Sequence, residues 1–144
     1  MKIKKYFLYN NEPINLIKDF EYCSIKKFIK LKSQSLDEIF IADLLDNIPI
    51  SQKDELIKDI KDKLKIGGIL YIQSLDRYAS SAAILNKQVD NNFINTLLFS
   101  NGRKTISSMS EIIELLKKHK FAVDQSKFIN GIQYFIKAQV INNE

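Results

Sequence analysis

The chain has 144 residues, 45% hydrophobic and 27% charged, which is the make-up of one globular domain with a single core. No apolar run reaches the roughly 18–20 residues of a bilayer-spanning helix. The start, Met1–Tyr6, lacks the apolar core and cleavage site of a signal peptide, so a cytoplasmic protein without a membrane partner is expected. One cysteine, Cys23, excludes an internal disulfide, and with His119 as the single histidine no zinc-ligand spacing exists.

The formal charge is +5, yet Arg77 and Arg103 are the only arginines among 22 basic residues. Bidentate readers of nucleic acid favour arginine, so a weak nonspecific attraction for nucleic acid is the most the lysines imply.

In chain order, residues 3–9 alternate as a short strand, broken by the turn residues of 10–13. Two short apolar segments follow, Ile14–Ile17 and Ser24–Ile29, separated by Lys18–Cys23; the front therefore holds three strand candidates. Leu36–Leu45 is a stronger strand, apolar on both sides of its pleat at Ile39–Ile41, the pattern of a strand covered on both faces. Ser51 is the expected N-cap of a helix with Leu56, Ile57, Ile60 and Leu64 on one side, and Gly67 or Gly68 its left-handed end. Ile69–Ile72 then returns as a buried strand, completing a right-handed parallel crossover.

Residues 77–99 predict one or two helices with a polar break at Asp90–Asn92, before an exposed basic loop at 101–104. Ser108 and Glu111 form a capping box opening a helix buried through Ile112, Ile113, Leu115 and Leu116. Phe121–Val123 and Gln133–Val140 are the last strands, joined by Asn130-Gly131, a strong hairpin signal. The fold class that follows is α/β, one domain over 1–144, parallel in its middle and closed by a C-terminal antiparallel hairpin. An ordinary strand-helix-strand unit takes about 30 residues, so the crossovers before Ile29 hold only a turn or two of helix. The N-terminal half is trimmed.

This order of elements resembles class I S-adenosylmethionine-dependent methyltransferases, closest to the small type-11-like members, over residues 36–140. Leu36–Pro49 resembles the family's fourth-strand segment, with Asp46-Asn47 where glutamate-histidine is usual. Lys63–Ile72 resembles its leucine-lysine-proline-glycine-glycine segment, with Ile66 in place of proline. Ser110–Phe121 resembles the late helix that ends in glycine-phenylalanine, with Lys120 in place of that glycine. The resemblance implies a Rossmann-like sheet with a cleft at the carboxyl ends of its strands.

It also implies where the methyl donor would sit. Members follow their first strand with a glycine-rich loop, because a Cβ would collide with the bound donor. Here no glycine precedes Gly67, and Tyr9, Asn10, Asn11 and Pro13 occupy that stretch, so residues 1–30 form a degenerate donor region. If donor binding persists, the cofactor-contacting candidates are Asn10, Asn11, Asp19 and Asp43. Asp19 would take the role of the acid that ends the second strand and accepts the ribose hydroxyls, with Glu21 the other candidate. Asp43 would be a cleft-facing polar group, or simply a charge at a strand end. Asp76–Tyr78 lies at the cleft edge, where Arg77 and Tyr78 suit an anionic or planar ligand. His119 falls in the last turn of its helix, where a cation complements the dipole.

The functional expectation is a methyltransferase-like protein that has lost S-adenosylmethionine and serves as a binding or assembly module, through a protein partner or self-association. Two alternatives stand beside it. One is an active, divergent methyltransferase on a small molecule or glycan precursor, with S-adenosylmethionine as cofactor. The other is a lysine-rich nucleic-acid- or virion-associated structural protein.

Overall fold

The computed structural model describes residues 3–10, 17–99 and 102–141. Its framework is a six-stranded sheet: β1 (Lys5–Tyr9), β2 (Glu21–Ser24), β3 (Leu36–Ala42), β4 (Leu64–Leu75), β5 (Phe121–Ile129) and β6 (Gln133–Val140). The spatial order is β2-β1-β3-β4-β6-β5. The first four strands pair in parallel, and β6 runs antiparallel to both β4 and β5. The helices are α1 (Ile25–Phe28), α2 (Ile50–Lys63), α3 (Arg77–Leu85), α4 (Asn91–Phe99) and α5 (Met109–Lys118).

Period-two alternation decides what each strand buries. Leu8, Ile39, Ile41, Leu70, Ile72 and Ile136 point to one face, where Phe28, Leu56, Ile57, Ile60, Ile112 and Leu116 of α1, α2 and α5 close over them. Each such side chain contributes about 1.5–3 kcal/mol through removal from water. The opposite face carries an aromatic row across five strands. Tyr22, Phe7, Phe40, Tyr71 and Phe135 follow one another at centroid separations of 4.9, 5.4, 6.0 and 6.1 Å. Phe20 meets Phe40 and Tyr71 edge-on, as the ring quadrupoles favour. Among the described residues, then, β3 is covered by helices on one face only, with Phe40 half-buried on the other.

Three local expectations need correcting. Ser24–Ile29 is not a strand beyond its first residue: Ser24 accepts the Lys27 N–H and caps α1, while β2 lies mostly in the segment read as a connector and ends on Ser24. Residues 14–16 lie outside the described residues. The N-cap of α2 is Pro49, without a side-chain cap bond, instead of Ser51. The glycine pair does not end α2, which stops at Lys63; it lies inside β4. There the register jumps from Leu36↔Leu64 to Glu38↔Ile69, so the extra residues bulge out of the ladder, and Gly67 takes φ +80°.

Elsewhere the local signals hold. The Ser108–Glu111 capping box is complete in both directions. Asn130 and Gly131 take φ 53° and 75°, the paired left-handed residues of a hairpin turn between β5 and β6. The polar break separates α3 from α4, with Asp90 accepting the Phe93 N–H at 2.7 Å.

Candidate functional site

Parallel order puts the ends of β1, β2, β3 and β4 on one edge, and the start of the antiparallel β6 joins them there. Beyond β3 the chain turns sharply. Asp43 adopts φ 55° and its N–H donates to Gln73 of β4 at 2.9 Å. A 3₁₀ turn, Leu45–Asn47, follows and carries Asp46 completely out of solvent.

Asp46 is the hub of this edge. Its Oδ2 accepts from the Ser74 hydroxyl and, at 2.7 Å, from Arg103 Nη1. Its Oδ1 has no hydrogen-bond donor, but Lys53 Nζ stands 3.8 Å away. Arg103 also reaches Asp43 Oδ1 at 3.3 Å and donates from Nε to the Leu97 carbonyl at 3.0 Å. The Asp46 carbonyl accepts the Lys104 and Thr105 N–H groups at 2.6 and 3.1 Å, fastening the loop above. The Arg103 side chain is only 7% exposed, so the arginine of this basic loop is drawn inside, while Gly102 and Lys104 stay exposed.

Burial dominates the electrostatics. It pushes the Asp46 carboxyl above the ordinary carboxylate value, against the opposing pull of Ser74, Arg103 and Lys53. It pushes the Lys53 ammonium down, against the pull of Asp46. The Tyr134 phenol, fully enclosed beside them, is pushed well above its usual value, first by burial and then by the nearby carboxylates. Two acids and two bases therefore neutralise one another inside the edge. Such a cluster locks geometry; every charge in it already has its counter-charge.

Asp76, at the end of β4, is equally closed. Its carboxylate accepts Ala79 N–H at 2.8 Å and Met109 N–H at 2.7 Å, tying the starts of α3 and α5 together. Lys53 donates to the Ser107 hydroxyl. Between the first turns of α2 and α5 a cleft of about 240 Å³ opens, lined by Lys53, Asp54, Arg77, Ser107 and Glu111 over an apolar floor. Its exposed charges are paired: Arg77 with Glu111, and Asp54 with Lys118 and His119 at 2.8 and 2.9 Å.

The sequence candidates divide between two edges. Asn10 stands exposed just past β1, on the same edge as Asp43. Asn11 lies outside the described residues. Asp19, exposed with φ 71°, precedes β2 and lies at the other edge, and Glu21 pairs with Tyr6 there too. At about 3.3 Å per residue, the four residues of β2 separate Asp19 from the cleft edge by more than 10 Å. The residue at the carboxyl end of β2 is Ser24, and its hydroxyl is committed to capping α1. Sequence reasoning gave no site role to Lys53 or Ser74, and placed Asp46 where the resemblance has glutamate without making it a site candidate. One signal was present: a lone acid inside the apolar stretch Leu44–Ile48.

No family model and no curated protein matches this chain. Solved structures do. A S-adenosylmethionine-dependent methyltransferase from Thermotoga maritima superposes with a TM-score of 0.58 at 17% identity, over 84% of this chain and 64% of that one. One from Methanosarcina mazei gives 0.57 at 19% identity, covering 85% and 68%. One from Archaeoglobus fulgidus gives 0.58 at 14%, covering 84% and 68%. The chain thus spans less than two thirds of the Thermotoga protein, and the likeness is one of fold.

Proposed function

Starting from the class I S-adenosylmethionine-dependent methyltransferase-like fold that these structures share with the chain, we propose a binding or assembly module that no longer holds the methyl donor. The observation that carries this reading is the end of β2. The resemblance calls for a carboxylate there to accept the ribose hydroxyls; Ser24 occupies the place and is spent on a helix cap. Among the described residues before α1 the acids are Asp19 and Glu21, and both stand at the opposite edge. On this reading the described residues do not fit the donor, and no reaction step is routed through it.

The closed cluster supports the same reading. An enzyme that brings donor and acceptor in line needs open, oriented room between them. Here Arg103 folds into that edge and spends its charge on Asp43 and Asp46. The arrangement favours a stable scaffold over a reactive cleft. Among the described residues no helix is long and apolar enough to cross a membrane. The compartment proposed is the cytoplasm, which a single free cysteine fits.

Isothermal titration of the purified chain with S-adenosylmethionine and with S-adenosylhomocysteine tests this. The expected result is no heat of binding up to millimolar ligand. Micromolar binding of either would defeat the proposal and favour an active methyltransferase on a small molecule or glycan precursor.

A further inference from the structure

Positive charge is concentrated on one turn of the chain. Residues 22–36 hold four lysines, Lys26, Lys27, Lys30 and Lys32, and no acid. With these four taken from the chain's 22 basic residues, 18 remain to face 17 acids, so the net charge of +5 resides almost wholly in this stretch. All four are exposed. Lys5, Lys53, Lys63, Lys65, Lys118 and Lys137 each pair with an acid, but among the described residues none of these four does. Neighbouring acids are spent elsewhere: Asp37 on Lys65, and Asp62 on Lys63 and the Ser33 hydroxyl.

The fold gives these charges a common direction. The turn of α1 continues past Phe28, with the Ile29 N–H donating to the Ile25 carbonyl at 3.1 Å and the Lys30 N–H to Lys27 at 3.2 Å. At 3.6 residues per turn, Lys26, Lys27 and Lys30 fall within about 100° of arc, while Phe28 is buried on the other side. Lys26 and Lys30, four residues apart, hold their Cβ atoms about 5–6 Å from each other. Lys32 follows where the chain leaves the turn.

We propose that this lysine arc binds the phosphodiester backbone of a nucleic acid without regard to sequence. Lysines are point charges with no fork for a base edge, and no arginine lies among them, so they suit phosphate oxygens. An ion-paired lysine must first give up its acid; these four have none to give up. Nucleic acid also carries one charge per about 1.7 Å of duplex and a condensed counterion layer, so each phosphate neutralised releases an ion. A lipid surface fits less well. Four lysines beside an anionic leaflet give an affinity of only about 1 millimolar. The apolar side chain exposed among them is Ile29, at 57%, and it buries far less than the single acyl chain that anchors a protein only marginally. The inference gives the binding module proposed above its partner and rests on that reading.

Fluorescence anisotropy of the full chain with a labelled DNA duplex and a labelled single-stranded RNA, each of about 20 nucleotides, is the test. The expected result is dissociation at about 10–100 micromolar in about 50 mM salt, alike for unrelated sequences. Four phosphate contacts give a logarithmic salt slope of about −3.6 on duplex and about −2.8 on single strand. On duplex that is an about 150-fold loss from about 50 to 200 mM salt. Binding in either arm supports the proposal and tells duplex from single strand. Lys26→Gln/Lys30→Gln should keep the wild-type circular dichroism spectrum and flatten the slope by about 2. Lys87→Gln/Lys117→Gln, at exposed positions beyond α3 and in α5, should leave the slope unchanged. No binding in either arm overturns the proposal, as does an equal loss for the two double variants. Tighter binding to polyglutamate or to anionic lipid vesicles also overturns it, by assigning the patch to an acidic protein or a bilayer. Titrating S-adenosylmethionine into the same sample keeps the two ideas apart. Donor binding there sinks the loss of the donor and leaves the patch standing.

Discussion

The Asp46 carboxylate, wholly removed from water, accepts a 2.7 Å bond from an Arg103 guanidinium that is itself almost enclosed. Fifty-seven residues of chain separate the two, so the pair staples the loop before α5 onto the turn after β3. Removing one partner strands the other. Asp46→Ala and Arg103→Met should each cost about 3–5 kcal/mol in urea unfolding. The double variant Asp46→Ala/Arg103→Met should cost less than the sum of its parts, with a coupling of about 1–3 kcal/mol. Strict additivity would mean the pair is not coupled.

Two acids predict opposite slopes in acid solution. Asp37 is held below the ordinary carboxylate value, first by the Lys4 N–H and then by Lys65. Its stabilisation is complete above the unfolded value near pH 4 and is lost as pH falls through the lower folded value. Asp46 runs the other way: its folded value is raised, so stability attributed to it falls as pH rises from about 4 toward that folded value. Carboxyl-detected NMR titration, paired with urea unfolding between about pH 2 and 7, resolves both. Asp37→Asn should flatten the loss below about pH 4, and Asp46→Asn should remove the opposing slope above it.

Long-range order was legible because the patterns that encode it are redundant. Ile39, Ile41, Leu70 and Ile72 announce buried strands, and Ser108 with Glu111 announces a helix start through a bond that forms in the structure. Turn geometry was much less legible, because this chain has few glycines and uses other residues where glycine is customary. Gln34, Lys87 and Lys120 take φ 52°, 53° and 64°, and none of those residue types signals a left-handed turn. The failure at Gly67-Gly68 has the same root. A glycine pair after a helical pattern reads as a helix end, but the pair serves a bulge instead. The candidate site was half legible. A charge at the end of β3 was visible in Asp43, while the burial of Arg103 depends on contacts that only the folded chain creates.

That bulge makes a sharp demand on Gly68. A Cβ placed there would stand 2.8 Å from the Lys65 carbonyl oxygen and 3.1 Å from the Leu64 side chain. The first is backbone of the bulge and the second belongs to Leu64, which pairs with Leu36 of β3, so Gly68→Ala should lower stability by about 1–3 kcal/mol. At Gly67, by contrast, nothing lies closer than the Gln139 amide at 3.7 Å. Gly67→Ala meets only the backbone cost of its left-handed φ, about 1–2 kcal/mol. Thermal unfolding of the two variants should show losses at both sites, and Gly67→Asn should cost less than Gly67→Ala.

Lys120 offers the converse experiment. It follows the end of α5 at φ 64°, its N–H donating to the Lys117 carbonyl at 3.1 Å and its own carbonyl accepting from Ile141. Helices commonly end on a left-handed glycine at this position, because a Cβ there crowds the following carbonyl. The lysine side chain is exposed, and its replacement removes no packing. Glycine would relieve the backbone strain, while giving the unfolded chain more freedom to lose. The first effect, about 1–2 kcal/mol, outweighs the second, about 0.5–1 kcal/mol. Lys120→Gly should therefore stabilise the protein by about 0.5–1 kcal/mol, read as a higher urea midpoint at unchanged slope. A lower midpoint would mean that the left-handed turn costs this chain nothing.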